Sequence, residues 1–132
     1  MNYSKEELSN YRLSKAKETF EEAQIMAASK KWNATANRLY YTCFYIVIAY
    51  LILDDIESGT HRGIKSKFNK LLISKGKLDR QYGKLYNRLF ELRQDADYKD
   101  FKDFDEERIA PLVDQVSNFI GLVEQLMNER QI

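Results

Sequence analysis

Arg93, Asp97 and Tyr98 stand in the stretch Leu92-Arg93-Gln94-Asp95-Ala96-Asp97-Tyr98, where a strong helical pattern stops. One turn of helix brings positions 93 and 97 onto the same face, so a guanidinium can pair with a carboxylate while a phenol stands beside them. Such a cluster can hold a phosphate, or it can simply lock a helix end. A second candidate opens the most apolar part of the chain. In Arg38-Leu39-Tyr40-Tyr41-Thr42-Cys43-Phe44-Tyr45, the residues Arg38, Tyr41 and Tyr45 fall at i, i+3 and i+7 on one stripe. Rings at that spacing fill core space and bring their hydroxyls to the rim. The arginine beside them also suits a pocket for phosphate or carboxylate, because a guanidinium rooted in apolar surroundings is costly unless paired. His61 is the one histidine of the chain. That rules out chemistry needing two histidines in one chain and argues against a His-rich metal site. As an acid or base near neutral pH, His61 needs company from elsewhere in the fold, such as Arg93 or Tyr98.

Several chemistries lack their sequence signatures. There is no Walker loop, no G-x-G-x-x-G, no cysteine pair and no serine-centred nucleophile elbow, which disfavours most nucleotide hydrolysis and acyl transfer. Asp95, Asp97, Asp100 and Asp103 lack the glycine, the spacing and the terminal glutamate of a calcium loop, so they read as a solvated acidic loop. No metal and no cofactor is expected.

The chain of 132 residues reads as a single domain, residues 1–132, and its 5 glycines and single proline suit helices better than strands and turns. Cys43 lies in the most apolar segment, where a lone thiol reads as inert core and fits a reducing cytoplasm. The run from Leu39 to Leu53 is too short for the roughly 18–20 apolar residues of a bilayer span and carries several tyrosines, so no membrane partner is expected. The net charge of +1 hides an asymmetry. Between Thr60 and Phe90, nine basic residues stand against the single acid Asp79, a net of +8; between Glu91 and Ala110, eight acids against four bases give −4. A basic middle can solvate a helix face or attract an anionic partner.

The elements that must position these residues are set by periodicity. Leu13, Ala16, Phe20, Ala23 and Ala27 at 3-4-3-4 spacing predict a first helix from about Ser4 to Ser29, with small residues that let a neighbour approach closely. A second helix runs to about Leu53 with Asn33 as its expected N-cap; apolar nearly all round, it belongs at the bundle centre. Thr60 is a candidate cap for a short third helix marked by Ile64, Phe68, Leu71 and Leu72, broken at Ser74-Lys75-Gly76-Lys77. Asp79 starts a fourth, with stripe Tyr82, Leu85, Leu89 and Leu92, which ends near Arg93–Tyr98. Residues 98–103 read as a charged loop. The last helix carries Ile109, Leu112, Val116, Phe119, Val123 and Leu126; an early start with Asp105 as cap leaves Pro111 beyond the first turn, with a local distortion. Five helices with short connections predict an all-α, antiparallel, up-and-down bundle, the third and fourth acting as a broken pair.

These blocks fall in a familiar order. The alanine-bearing first helix, Asn37-Arg38-Leu39-Tyr40-Tyr41, Thr60-His61-Arg62-Gly63, Gly76-Lys77-Leu78 and Leu92-Arg93-Gln94-Asp95-Ala96-Asp97-Tyr98 together resemble the HEPN domain family, and within it the small stand-alone prokaryotic branch. The resemblance covers the chain from about Ser9 to Leu126. It implies a bundle of four to five helices, commonly a homodimer with the polar motif near the dimer interface. It also implies a minimal nucleotidyltransferase as partner, in toxin–antitoxin pairs. Active members of the family are metal-independent ribonucleases with an arginine followed, four to six residues later, by a histidine. Arg93 matches that arginine. Tyr98, Lys99 and Asp100 occupy the positions where the histidine should fall. Neither a tyrosine nor a lysine at its ordinary pKa serves acid–base attack by a 2′-hydroxyl well near pH 7.

The expectation is therefore a binding module, leaning away from an enzyme, that holds a nucleotide or RNA phosphate near Arg93, Arg38, Tyr41 and His61. Arg93 supplies the bidentate contact, Asp97 orients it, and Tyr98 stacks or donates a hydrogen bond. The module works with a nucleotidyltransferase-type partner in a toxin–antitoxin-like or regulatory system. One alternative is a ribonuclease toxin using Arg93 with His61 or Tyr98. The other is a structural interaction domain in which the Arg93–Asp97 pair only fixes the loop.

Overall fold

A computed structural model describes residues 2–56, 59–100 and 103–130. It holds five α-helices and, among those residues, no strand: α1 (Lys5–Ala28), α2 (Trp32–Leu53), α3 (His61–Phe68), α4 (Arg80–Tyr98) and α5 (Glu106–Arg130). A π-helical turn, Asn69–Ile73, continues α3. The expected all-α bundle is what forms.

Capping chemistry fixes most helix starts. Glu7 N–H donates to Ser4 Oγ and Ser4 N–H to Glu7 Oε1, a reciprocal box that typically stabilises a helix by about 1 kcal/mol. Thr60 accepts from Gly63 N–H, Asp79 from Gln81 N–H and Asp105 from Arg108 N–H. The second helix departs from expectation. It begins at Trp32, and its N-cap, Lys31, makes no side-chain cap. Asn33 is already inside the first turn, and its side-chain oxygen accepts from the Phe104 N–H instead, tying the α4–α5 connection down. That bond helps to bury Phe104, a ring in a stretch that reads as solvated loop. Tyr98 falls at the end of α4 rather than in that loop, of which Phe101 and Lys102 lie outside the described residues. Pro111 sits within α5, which starts early and stays helical through the proline without a break.

α2 is the axis of the bundle. Leu39, Tyr40, Cys43, Ile46, Val47 and Tyr50 are essentially without solvent contact. It is long and apolar enough to cross a membrane by composition, yet 67% of its most apolar window is buried inside the bundle. Burial pushes the Cys43 thiol far up, so it stays protonated and inert. α1 lies closely along α2: Ser9, Ala16, Thr19 and Ala23 are buried, and Ser9 Oγ–H donates to the Ala49 carbonyl at 2.8 Å. Small side chains make that approach possible, while Leu13 and Phe20 cover its margins.

The segment α3–π turn is built differently. Ile64, Phe68 and Leu72 face the core. Ser74 N–H reaches back five residues to the Asn69 carbonyl at 2.8 Å, and the Asn69 side-chain amide donates to Lys65 O and Asn87 Oδ1. α4 comes close here only because position 83 is glycine. A Cβ there would lie 3.1 Å from Asn69 Oδ1 and 3.2 Å from Ile73 Cγ1. The third and fourth helices thus form the broken pair expected from sequence, with α3 extended before the break by a π turn that periodicity did not reveal.

Candidate functional site

Three elements converge on one ring. Tyr40, in the middle of α2, is fully buried, and its hydroxyl lies 2.7 Å from Nδ1 of His61, the first residue of α3. The Thr60 cap fixes where α3 starts and so where that imidazole stands. Phe44, one turn beyond Tyr40, stacks on the imidazole at 4.4 Å between centroids and 18° between planes. From α4, the Arg93 guanidinium lies over the Tyr40 ring, 4.8 Å from its centroid, with Tyr41 and Phe90 each at 5.9 Å. A cation over desolvated aromatic faces gains of order 2 kcal/mol, which offsets part of the cost of burying it.

Arg93 is only 9% exposed. Its Nη1 meets Asp97 Oδ2 at 3.6 Å, a long contact with a carboxylate that is 40% exposed, and its Nε is buried without a hydrogen-bond partner. Buried guanidinium nitrogens are normally satisfied, so this one is a donor in want of an acceptor. The positive charge acts on its neighbours. The pKa of His61 lies below its usual 6.5, first through burial and then through repulsion from Arg93, so the imidazole is neutral near pH 7. Burial raises Tyr40 to about 12, although Arg93 pulls the other way. The Tyr86 hydroxyl, also pushed up by burial, neighbours the Tyr40 oxygen without completing a well-formed hydrogen bond.

The residues singled out from sequence divide accordingly. Arg93, His61 and Tyr41 come together, with Asp97 at the rim. Arg38 touches the same Tyr41 ring at 5.5 Å but spends its donors elsewhere: Nη1 on Glu22 at 3.1 Å, Nε and Nη2 on the Asn37 side-chain oxygen. Tyr98 stands 78% exposed at the end of α4. Tyr45 lies next to Tyr41 and Phe44 on the partly exposed side of α2. Tyr40, Phe44, Tyr86 and Phe90 are site residues that sequence does not single out. Their one available signal is the i, i+4 pairing of Tyr40 with Phe44 and of Tyr86 with Phe90, which looks the same in an ordinary core. Among the described residues no group of three His, Cys, Asp or Glu side chains is placed to hold a metal.

Chemically, the arrangement offers a fixed cation with an unused donor, a neutral imidazole within its electrostatic reach, and a partly exposed aromatic rim of Tyr41, Phe44 and Tyr45. That combination suits an oxyanion carried on a flat or apolar group.

Comparison with known proteins bears on the fold that carries this site. A family model described as "HEPN domain" matches residues 9–126. A "UPF0332 protein" of Thermotoga maritima is 30% identical over 125 residues, 95% of each chain. In Methanocaldococcus jannaschii, "Putative toxin MJ0605" is 24% identical over 114 residues, 86% of this chain and 84% of its own. "Putative toxin MJ0142" of the same organism is 30% identical over 86 residues, 65% of this chain and 58% of its own. The match runs from the buried Ser9 on α1 to Leu126 near the end of α5 and takes in every element that builds the Tyr40 site; the chain belongs to the HEPN domain family.

Proposed function

We propose that this HEPN domain binds the phosphate of a nucleotide or of RNA at Arg93 and His61, as a module without catalytic turnover. The observation that carries this reading is the Arg93 side chain, nine-tenths buried yet with Nε unpartnered and only a long contact to Asp97. A protein bears the cost of such a group where an incoming anion completes it. The basic residues of α3, the π turn and the start of α4 favour anion approach from that side, an ionic-strength-dependent effect. Tyr98 and Tyr41 are available for stacking, and Arg38 acts at most through Tyr41.

The names of two relatives include the word toxin, which supports a role in a toxin–antitoxin-like or regulatory system. In that system the chain acts as a homodimer together with a minimal nucleotidyltransferase. Purified protein is expected to bind short RNA or a nucleotide with an affinity that falls as salt rises, and Arg93→Ala is expected to weaken that binding about ten- to a hundredfold. Salt-independent or absent binding, with Arg93→Ala altering only the melting temperature, would leave a structural domain as the better account. Co-purification with a neighbouring nucleotidyltransferase gene product, and sedimentation of the isolated chain, test the two partner assignments.

A second reading, a ribonuclease toxin, has one observation in its favour: the neutral imidazole of His61 lies close enough to Arg93 to feel its charge. RNA incubated with the protein in chelator distinguishes the two. Cleavage lost in His61→Ala supports the nuclease, and intact RNA removes it.

A further inference from the structure

We propose that the outer side of the α3–α4 pair is a second binding surface, which takes the phosphate backbone of a nucleic-acid duplex on two rows of unpaired cations. Arg62 and Lys70 form one row; Arg80, Lys84 and Arg88 form the other. The surface uses neither Arg93 nor His61 and stands or falls independently of the anion-binding reading above.

Contacts along the seam fix which way these residues face. Lys65 Nζ lies over the Phe90 ring at 4.5 Å, the Asn69 amide donates to Asn87 Oδ1 at 3.2 Å, and Gly83 abuts Ile73, so the two segments run antiparallel. One residue on from a contact position, a helix has turned by about 100°. In an antiparallel pair that turn carries both partners to the same side of the seam. Ser66, Lys70 and Ser74 therefore line up beside Lys84 and Arg88, and one turn earlier Arg62 and Arg80 extend the two rows. Burial agrees. One step before the contacts, Ile64, Phe68, Leu72, Tyr86 and Leu89 are buried and Tyr82 is half-buried; one step after them, every residue is exposed.

The cations of this face are also unspent. Elsewhere Lys5, Lys17, Arg38 and Lys99 each meet a carboxylate. Among the described residues no carboxylate pairs with Arg62, Lys70, Arg80, Lys84 or Arg88, and Asp79, next to Arg80 in sequence, gives its Oδ1 to the Gln81 N–H as the cap of α4. Unpaired like charges repel one another until a polyanion covers them. Along α4 the three cations recur every four residues, an advance of about 6 Å each, and packed helix axes lie about 8–10 Å apart. A partner that fills both rows carries negative charge at short intervals along two lines, as a duplex does. The outward positions hold no aromatic ring, the platform on which single strands stack, so the contact is with backbone phosphates and reads no bases. Glu91 ends the α4 row.

Anisotropy titrations of a short labelled DNA duplex with the full, untagged chain test the surface. Five phosphate contacts at about 0.9 counterion each give a log–log salt slope of about −4.5, so raising salt from about 50 to about 200 mM should weaken binding about 500-fold. In the triple variant Lys70→Gln, Lys84→Gln, Arg88→Gln the slope should shrink to about −1.8 and that loss to about tenfold. Lys17→Gln removes a cation that is paired with Glu124, and should leave the slope as it is. A triple-variant slope equal to the parent's, or a slope reduced by about one in Lys17→Gln, overturns the proposal. So does a single strand with the same number of phosphates, or polyglutamate, binding as tightly as the duplex. An RNA duplex in the same titration shows which duplex is preferred; salt-sensitive binding of either that the triple variant loses supports the surface.

Discussion

Arg38 and Arg93 both lie within 6 Å of the Tyr41 ring centroid, yet they face opposite circumstances. Arg38 is 35% exposed at its side chain and engaged at each nitrogen, by a carboxylate from α1 and by its own neighbour Asn37. Arg93 is buried and half engaged. Sequence treats the two alike, as guanidiniums next to tyrosines on helices. The difference comes from which face each presents: Arg38 turns toward the α1 surface, whereas Arg93 comes across from α4 onto the buried Tyr40. Each nitrogen of Arg38 makes a hydrogen bond, whereas Arg93 keeps a buried donor that the proposed anion would complete.

The largest test of that contrast is Arg93→Ala. Loss of a charge-assisted, desolvated contact should weaken phosphate or RNA binding by about ten- to a hundredfold, as followed by calorimetry or filter binding. An affinity within twofold of the parent would end the distinction between the two arginines. Asp97→Asn comes next. It removes the carboxylate that competes for Nη1, and binding should tighten by up to about fivefold, the ceiling for a partly exposed ion pair. Weaker binding would instead make Asp97 the group that orients Arg93.

Acid offers a subtler probe. His61 binds its proton less tightly in the folded chain than unfolded, so the unfolded state takes up more protons between the depressed folded pKa and the usual 6.5. Stability associated with neutral His61 is therefore full above about pH 6.5 and is lost as pH falls toward the folded value. Melting temperatures of the parent should drop faster over that window than those of His61→Asn; parallel curves would mean the burial and the Arg93 repulsion do not register. The smallest effect belongs to Arg38→Ala. Its exposed pair with Glu22 is worth less than about 1 kcal/mol, and anion affinity should stay within about twofold. A loss matching that of Arg93→Ala would join both arginines in one site.

Much of the bundle was legible because its rules are local. Thr60, Asp79 and Asp105 cap helices that their side chains announce, and the stripes of the last two helices face inward as their spacing dictates. Within the site, the Arg93–Asp97 contact was legible for the same reason, being one helical turn. The Tyr40–His61 bond was not. It joins residues 21 apart across a helix junction, and its existence depends on where α3 returns against α2. Asn33 misled because a side chain at a helix start can serve a distant backbone as well as its own, and here Phe104, 71 residues on in sequence, claims it.

The five residues Asn69–Ile73 set an angle as well as a bond pattern. Each residue along an α-helix advances the outward direction by about 100°, so the wider turn puts the face of α3 out of phase with the backbone downstream by roughly one residue's rotation. α4 grips the turn at Gly83, which makes that phase the reference for everything upstream. A chain one residue shorter there would retain every side chain of the site and still turn the imidazole of His61 off the Tyr40 hydroxyl. The composition of the site is written in α2, α3 and α4; its alignment is written in the length of a segment that touches none of its polar atoms.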